Sequence, residues 1–341
     1  MADIFNMELR MQYSTCSAFI IFEILKLING NSLPSNMKIL DMYMEYMTCI
    51  DFDTLNLLKN LEEINVYAVN MSYFPDKDCS NPVHEEDIRP LDLPNLRVIR
   101  LTGIGLLKAP NTSLMPILES FTVAMNAIQE IHGTPFGNNS HLKVIGFYQS
   151  NLTAAPDITG GCNNLDKLNL NGNDIITIPE NYFKGCSIKK PSIMGNYLTS
   201  FPNHAPLGNS VVQIKVNGNQ ISGMITDDMV KDLSKLTKFS IQNNKLHGFD
   251  ASFCHGNKPV TINVYMNTDL QIFENPYRFC IHRLDTFVTK PKMDLRSTKI
   301  PCDHHRCWMK KYATKFNLQV DNCPDGRVWT TVTETDVCGQ G

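Results

Sequence analysis

One pattern of apolar positions recurs along this chain: an apolar residue followed by others three, five and ten positions later. The clearest copy is Leu165, Leu168, Leu170 and Ile175, with Asn173 between the last two. Further copies begin at Met37, Leu61, Leu96, Leu118, Leu142, Ile188, Val211, Leu236, Val260 and Leu284. Successive starts lie 22 to 25 residues apart, except for one step of 35 from Leu61 to Leu96. Leu168 and Leu170 alternate with polar Asn169 and Asn171, the period of a short strand with one buried face. One such strand cannot hide its apolar side alone, so successive copies stacked at about 4.8 Å should form a row of parallel strands over a common core. Asn126, Asn173, Asn196, Asn219 and Asn244 fall at the ninth position, where an amide can both donate to and accept from the turn leaving the strand. Val69, Ile104 and Ser150 replace it elsewhere, and Pro191 takes a core strand position. Phe136, Phe183, Phe253 and Phe279 recur near the nineteenth position as a second, aromatic part of the core. Pro156, Pro179 and Pro202 follow the strand turn, which favours irregular outer segments over long helices.

This spacing resembles the leucine-rich-repeat family, whose unit reads L-x-x-L-x-L-x-x-N-x-L, over about Met37 to Cys338. The resemblance implies an α/β fold, a curved right-handed superhelix with a parallel sheet on its concave face and irregular or 3₁₀ segments on its convex face. Residues 1–36 are then an N-terminal segment or degenerate cap, 37–300 about eleven repeats, and 301–341 a cysteine-rich C-terminal cap. That last segment resembles the cap of extracellular leucine-rich-repeat proteins through Cys302-Asp303, Cys307-Trp308, Cys323-Pro324, Gly326, Trp329 and Cys338; His304 stands where the family often has a second cysteine. By analogy the pairs are Cys302–Cys323 and Cys307–Cys338, one of three connectivities open to four cysteines. The rival is a zinc site of Cys302, His304 or His305, Cys307 and Cys323, since mixed Cys/His ligands suit zinc.

Eleven cysteines fit an oxidising compartment. Their odd number leaves at least one thiol free or bonded to another chain, and Cys16, outside the repeats, is the candidate. Cys162 and Cys186 occupy near-equivalent places in consecutive repeats, as do Cys254 and Cys280. Disulfide staples and buried core thiols both account for these pairs. Sequons at Asn70, Asn111, Asn138 and Asn151 are candidate glycosylation sites, although their number is no more than chance supplies. The apolar run from Ala18 to Ile28 contains Glu23 and Lys26 and is too short and too charged to span a bilayer. With Asp3 and Glu8 ahead of it, the run is also a poor signal peptide, and the end at Cys338-Gly339-Gln340-Gly341 shows no hydrophobic tail. Lys plus Arg (31) nearly balance Asp plus Glu (34), so no overall field favours nucleic acid.

Strand positions facing away from the core form columns across the sheet. In the first half the third, seventh and eighth positions carry Ile39, Tyr43, Met44, Tyr67, Val98, Met125, Val144, Tyr148 and Gln149, an apolar and aromatic surface suited to a protein partner. In the second half they carry Lys167, Asn171, Lys190, Asn217, Lys238, Gln242 and Asn243, with Lys215 at position five, a basic row suited to an acidic protein or a sulfated glycan. Sideways packing of the apolar residues, or the segment Met1 to Asn36 folded over them, would remove the first surface. No nucleophile elbow, zinc-binding H-E-x-x-H, phosphate loop or dinucleotide fingerprint occurs. Any enzymatic site would have to sit in the insertion from Tyr73 to Pro94, with Cys79, His84, Glu85 and Glu86, and neither cofactor nor metal is expected. The sequence therefore predicts a secreted protein that recognises another protein through its concave face, of the adhesion or innate-immune type. The alternatives are a non-catalytic subunit stabilising a secreted enzyme or other hetero-complex, and a structural matrix component.

Overall fold

The computed structural model describes residues 7–13, 37–44, 56–68, 92–104, 106, 109–128, 131, 135–137, 139–249, 261–270, 272–273, 292–311, 317–339. The chain divides into two compact units, Met1–Asp174 and Ile175–Gly341, and each is a stack of parallel strands.

In the first unit seven strands follow one another in chain order: β1 (Met7–Tyr13), β2 (Met37–Met44), β3 (Glu63–Ala68), β4 (Val98–Thr102), β5 (Ser120–Ala124), β6 (Val144–Tyr148) and β7 (Lys167–Asn169). Each pairs in parallel with the next. Alternation does the sorting. Leu40, Ile64, Ile99, Phe121, Ile145 and Leu168 stand at the fourth position and are buried beside one another, while the residues between them face outward. Burying one such side chain contributes roughly 1.5–3 kcal/mol, and every turn buries several. β1 extends this sheet at its edge, Glu8 standing opposite Ile39 and Leu9 opposite Leu40. Residues 7–13 therefore lie beside β2 and do not fold over the sheet's face.

The second unit continues the same logic with β8 (Pro191–Ser192), β9 (Gln213–Lys215), β11 (Lys238–Ser240), β13 (Thr261–Asn263), β15 (Lys292–Asp294) and β16 (Asn317–Gln319), paired in that order. β8 is only two residues long because Pro191 has no N–H to give to the ladder. The register corrects two repeat boundaries. Thr261 lies opposite Lys238, so this repeat sits one residue ahead of a start at Val260, and its ninth residue is Asn267. Lys292 lies opposite Thr261, six residues beyond the third position implied by a start at Leu284. Val260 and Leu284 themselves lie outside the described residues. The outer segments are mostly irregular, with 3₁₀ turns at Ala205–Leu207 and Asp227–Met229. The second unit adds a short parallel sheet of β10 (Ser222–Ile225), β12 (Lys245–Phe249) and β14 (Ile272–Phe273).

The ninth-position amides lock the turns. Asn173 Nδ2 donates to Phe147 O (2.8 Å) and Leu170 O (3.0 Å), while its Oδ1 accepts from the backbone N–H of Ser150 (2.9 Å) and Leu152 (3.2 Å). Asn126, Asn219, Asn244 and Asn267 repeat this, donating both to their own turn and to the preceding one. Ser150, itself at a ninth position, substitutes a hydroxyl that donates to Tyr148 O (3.2 Å). Behind the strands, Phe121, Phe136 and Phe147 meet with ring centroids 5.3 to 6.3 Å apart. In the second unit His204 takes a place in the aromatic column, stacked on Phe183 at 4.9 Å and against Phe201 at 5.0 Å. Phe253 and Phe279 lie outside the described residues.

At the end of the second unit, α1 (His304–Lys311) and α2 (Glu334–Cys338) flank β16. Cys302 is bonded to Cys323 and Cys307 to Cys338. Cys302, Cys323, Val332 and Val337 form a small core against Trp329. Arg306 is buried and donates twice to Ile300 O (2.9 and 2.7 Å), and the Lys310 ammonium lies 4.2 Å from the Trp329 ring centre. All three sulfurs that the zinc site would need are thus taken up in disulfides. No helix among the described residues is long and apolar enough to cross a membrane.

Candidate functional site

The outward face of the strands is where side chains are left over once the core and the amide ladder have been supplied. In the first unit Tyr43 and Tyr67 stand opposite each other on β2 and β3, their rings 4.9 Å apart and tilted by 32°. Tyr43 is 52% exposed even so. Next across the sheet come two small residues, Thr102 and Ala124, and then Tyr148, all in register at the seventh position. Ala124 and, one position row away, Gly146 are buried although both stand at outward positions, so the larger neighbours rise around a low floor. Met125 stands beside this floor, 50% exposed, and its N–H donates to Tyr148 O (3.0 Å). Tyr148 is half-buried and Gln149 exposed. Met44 belongs to β2, and its side chain lies outside what is described.

The first unit's face is less uniformly apolar than its third, seventh and eighth columns imply. Arg100 Nη1 donates to Glu63 Oε1 (2.6 Å) and Asn65 Oδ1 (2.9 Å), and Asn65 Nδ2 donates to the same Glu63 oxygen (3.0 Å). Arg97 and Glu119 form a further pair nearby. Glu63, Asn65 and Arg100 escaped the sequence reading. Glu63 and Arg100 are 37 residues apart, because the long insertion separates strands that are neighbours in space.

Lys167, the first residue of β7, is exposed. In the second unit Lys190 and Lys238 are exposed and Lys215 half-buried, and Lys292, which the sequence reading omitted, joins them at the start of β15. Lys215 lies in register between Ser192 and Ser240, small residues that leave its side chain room.

The eighth position has a property that only the backbone reveals. Gly103, Gly172, Gly195 and Gly218 adopt φ of 61 to 66°, and Met125, Gln149, Asn243, Met266 and Ser297 adopt φ of 49 to 61° at the same place in their turns. A left-handed residue here swings the chain out of the strand, and its N–H still donates to the next strand's seventh carbonyl, as in Gly195 to Asn217 O and Asn243 to Tyr265 O (both 2.8 Å). Glycine adopts this conformation freely, whereas a residue with a Cβ does so at a cost.

Cys162 and Cys186 are each disulfide-bonded, which displaces the buried-thiol reading for them. Cys16, Cys79, Cys254 and Cys280 lie outside the described residues, as do Asn70, Asn138, Val69, His84, Glu85 and Glu86. Asn111 and Asn151 are exposed.

No protein-family model and no curated protein matches this chain. Solved structures do. A chain of the octameric complex of Latrophilin 3 (Lec, Olf), Unc5D (Ig, Ig2, TSP1) and FLRT2 (LRR) superposes with a TM-score of 0.63 at 13% identity, over 87% of this chain and 88% of that one. A leucine-rich-repeat protein of Leptospira interrogans superposes with a TM-score of 0.52 at 13% identity, over 92% and 88%. At that identity the likeness concerns the fold, which is the leucine-rich-repeat solenoid.

Proposed function

From the leucine-rich-repeat fold as premise, we propose that this chain is a secreted, non-catalytic recognition protein that binds another protein through the outward face of its strands. The observation that carries this reading is the Tyr43–Tyr67 pair, an aromatic anchor that the fold leaves open to solvent beside Met125 and a floor of small residues. Exposed Tyr and Met gathered around a low surface are typical of the centre of a protein interface. A polar cluster, Glu63, Asn65 and Arg100, stands at its side to fix orientation. Cys162, Cys186, Cys302, Cys307, Cys323 and Cys338 are all disulfide-bonded, which supports an oxidising, extracellular setting. The structural neighbour in an assembly with Latrophilin 3 and Unc5D lends weight to a role in recognition. The disulfide-held C-terminal segment serves as the cap that shields the last turn, as stacks of this kind require.

Affinity capture from the extracellular fluid of the source tissue, with the native chain and the Tyr43→Asp/Tyr67→Asp double variant compared by mass spectrometry, tests the reading. A partner retained by the native chain should weaken about 30-fold or more on the variant, since two anchor residues of an interface are altered. Thermal unfolding of the variant checks that it is folded. The same partners bound equally by both chains would rule this surface out.

A further inference from the structure

The second unit's sheet face carries a chemistry of its own. Lys190, Lys238 and Lys292 all stand at the third position, and the strand order β8, β9, β11, β13, β15 puts them two strands apart each time. With strands about 4.8 Å apart, the lysines repeat every ~9.6 Å across the sheet. Lys215 rises between the first two from the fifth position of β9, flanked by Ser192 and Ser240. None of the four lysines has an ion pair among the described residues. No acidic residue stands at the outward positions of β8, β9, β11 or β13. The first acid met is Asp294, and it is already held by Arg296 through bonds of 2.9 and 2.7 Å. Four ammoniums on one face repel one another, and nothing described on the face neutralises them.

We propose that this face holds an acidic segment of the protein partner in extended, polyproline-type conformation, laid across the strands with a carboxylate at every third residue. Such a segment has three residues per turn and rises about 3.1 Å per residue, so its carboxylates repeat every ~9.3 Å, close to the lysine spacing. A β-conformation would bring like-facing residues round every ~6.7 Å and lose step with the row. The side-chain amide of Gln213, which stands in the same row opposite Lys238 and can both donate and accept, suits a peptide backbone running over it. A sulfated glycan, with its charges more closely spaced, matches this sparse row less well. The inference rests on the protein-binding reading, and uses different residues from the tyrosine surface.

The test uses the full chain and fluorescein-labelled (Glu-Pro-Pro)4, followed by anisotropy, against a peptide of the same composition with its four Glu contiguous. The spaced peptide should bind about tenfold more tightly than the contiguous one, weaken about tenfold or more on Lys190→Gln/Lys238→Gln/Lys292→Gln, and weaken as salt rises. The Lys→Arg triple variant should retain it. The Tyr43→Asp/Tyr67→Asp chain should also bind it like the native chain, so failure of the tyrosine reading is seen separately. Equal binding by the Gln triple variant, or no preference for the spaced peptide, overturns the proposal. So does a heparin octasaccharide that binds more tightly than the peptide and depends on the same lysines, which would assign the face to a glycan.

Discussion

His204 gives the second unit a built-in sensitivity to acid. The ring is buried between Phe183 and Phe201, and its Nδ1 lies 2.7 Å from Pro202 O, so the neutral ring donates from Nδ1 and leaves Nε2 bare. No group among the described residues is placed to accept a proton from Nε2. Burial drives the pKa down from 6.5 to about 4, and the bond to Pro202, which works in the opposite sense, recovers only part of it. The folded protein therefore resists a proton that the unfolded chain accepts readily below pH 6.5. Stability from this group is complete above about pH 6.5 and falls as the pH drops toward 4, by roughly 1.4 kcal/mol per unit and about 3 kcal/mol in all. His204→Phe keeps an aromatic ring in the column and removes the titration. Urea unfolding of both chains at pH 7.5 and 4.5 measures the difference. The native chain should lose about 2.5 kcal/mol more than the variant between the two pH values, a comparison that cancels acid effects from other groups as well as any fixed cost of the larger ring. Equal losses in the two chains would show that His204 is not held neutral by burial and would refute the reasoning.

Two further outcomes follow from the geometry. Cys302–Cys323 and Cys307–Cys338 close loops with sequence separations of 21 and 31 residues, so replacing either pair by Ser should cost about 3 kcal/mol in urea unfolding, and a chelator should leave the native melting temperature unchanged. Met125→Gly, which relieves a left-handed φ of 52°, should raise stability by about 0.5–1 kcal/mol while weakening capture of the partner on the tyrosine surface; loss of stability on this change would show that the methionine packs inward.

Much of this architecture could be read from residue spacing alone, because the stack imposes the same geometric demand at every turn. Leu165, Leu168, Leu170 and Ile175 announce a buried strand edge, and Asn173 announces the amide that seals it. The misreadings arise where another residue imitates the signal. Val260 is apolar and precedes Ile262 and Val264, so the repeat is read one residue late and Asn267 is missed as a ladder amide, although it makes the same bonds as Asn244. β1 escapes the pattern because Ser14 stands at the ladder place, five residues after Leu9 and three after Met11, where an asparagine would mark the turn. Arg100 and Glu63 were out of reach for a different reason. Their contact depends on β3 and β4 being neighbours, and the insertion between those strands removes any fixed spacing that could foretell it.

The division of labour within one turn limits where chemical variety can reside. A ladder amide such as Asn173 spends its oxygen and its N–H groups on the backbone around it, and the fourth and sixth positions are spent on the core. Chemical variety is left to the third, fifth, seventh and eighth positions. The first three can vary without backbone cost, but the eighth cannot, because its left-handed conformation suits glycine best. Met125 and Met266 pay that conformational penalty with side chains 50% and 41% exposed, so inward packing returns little of it. Met125 borders the tyrosine surface, and Met266 follows Tyr265 on the repeat between Lys238 and Lys292. On the reading proposed above, each would add an adaptable apolar contact at the margin of one of the two proposed binding surfaces, where contact with a partner would offset the backbone strain carried in the free protein.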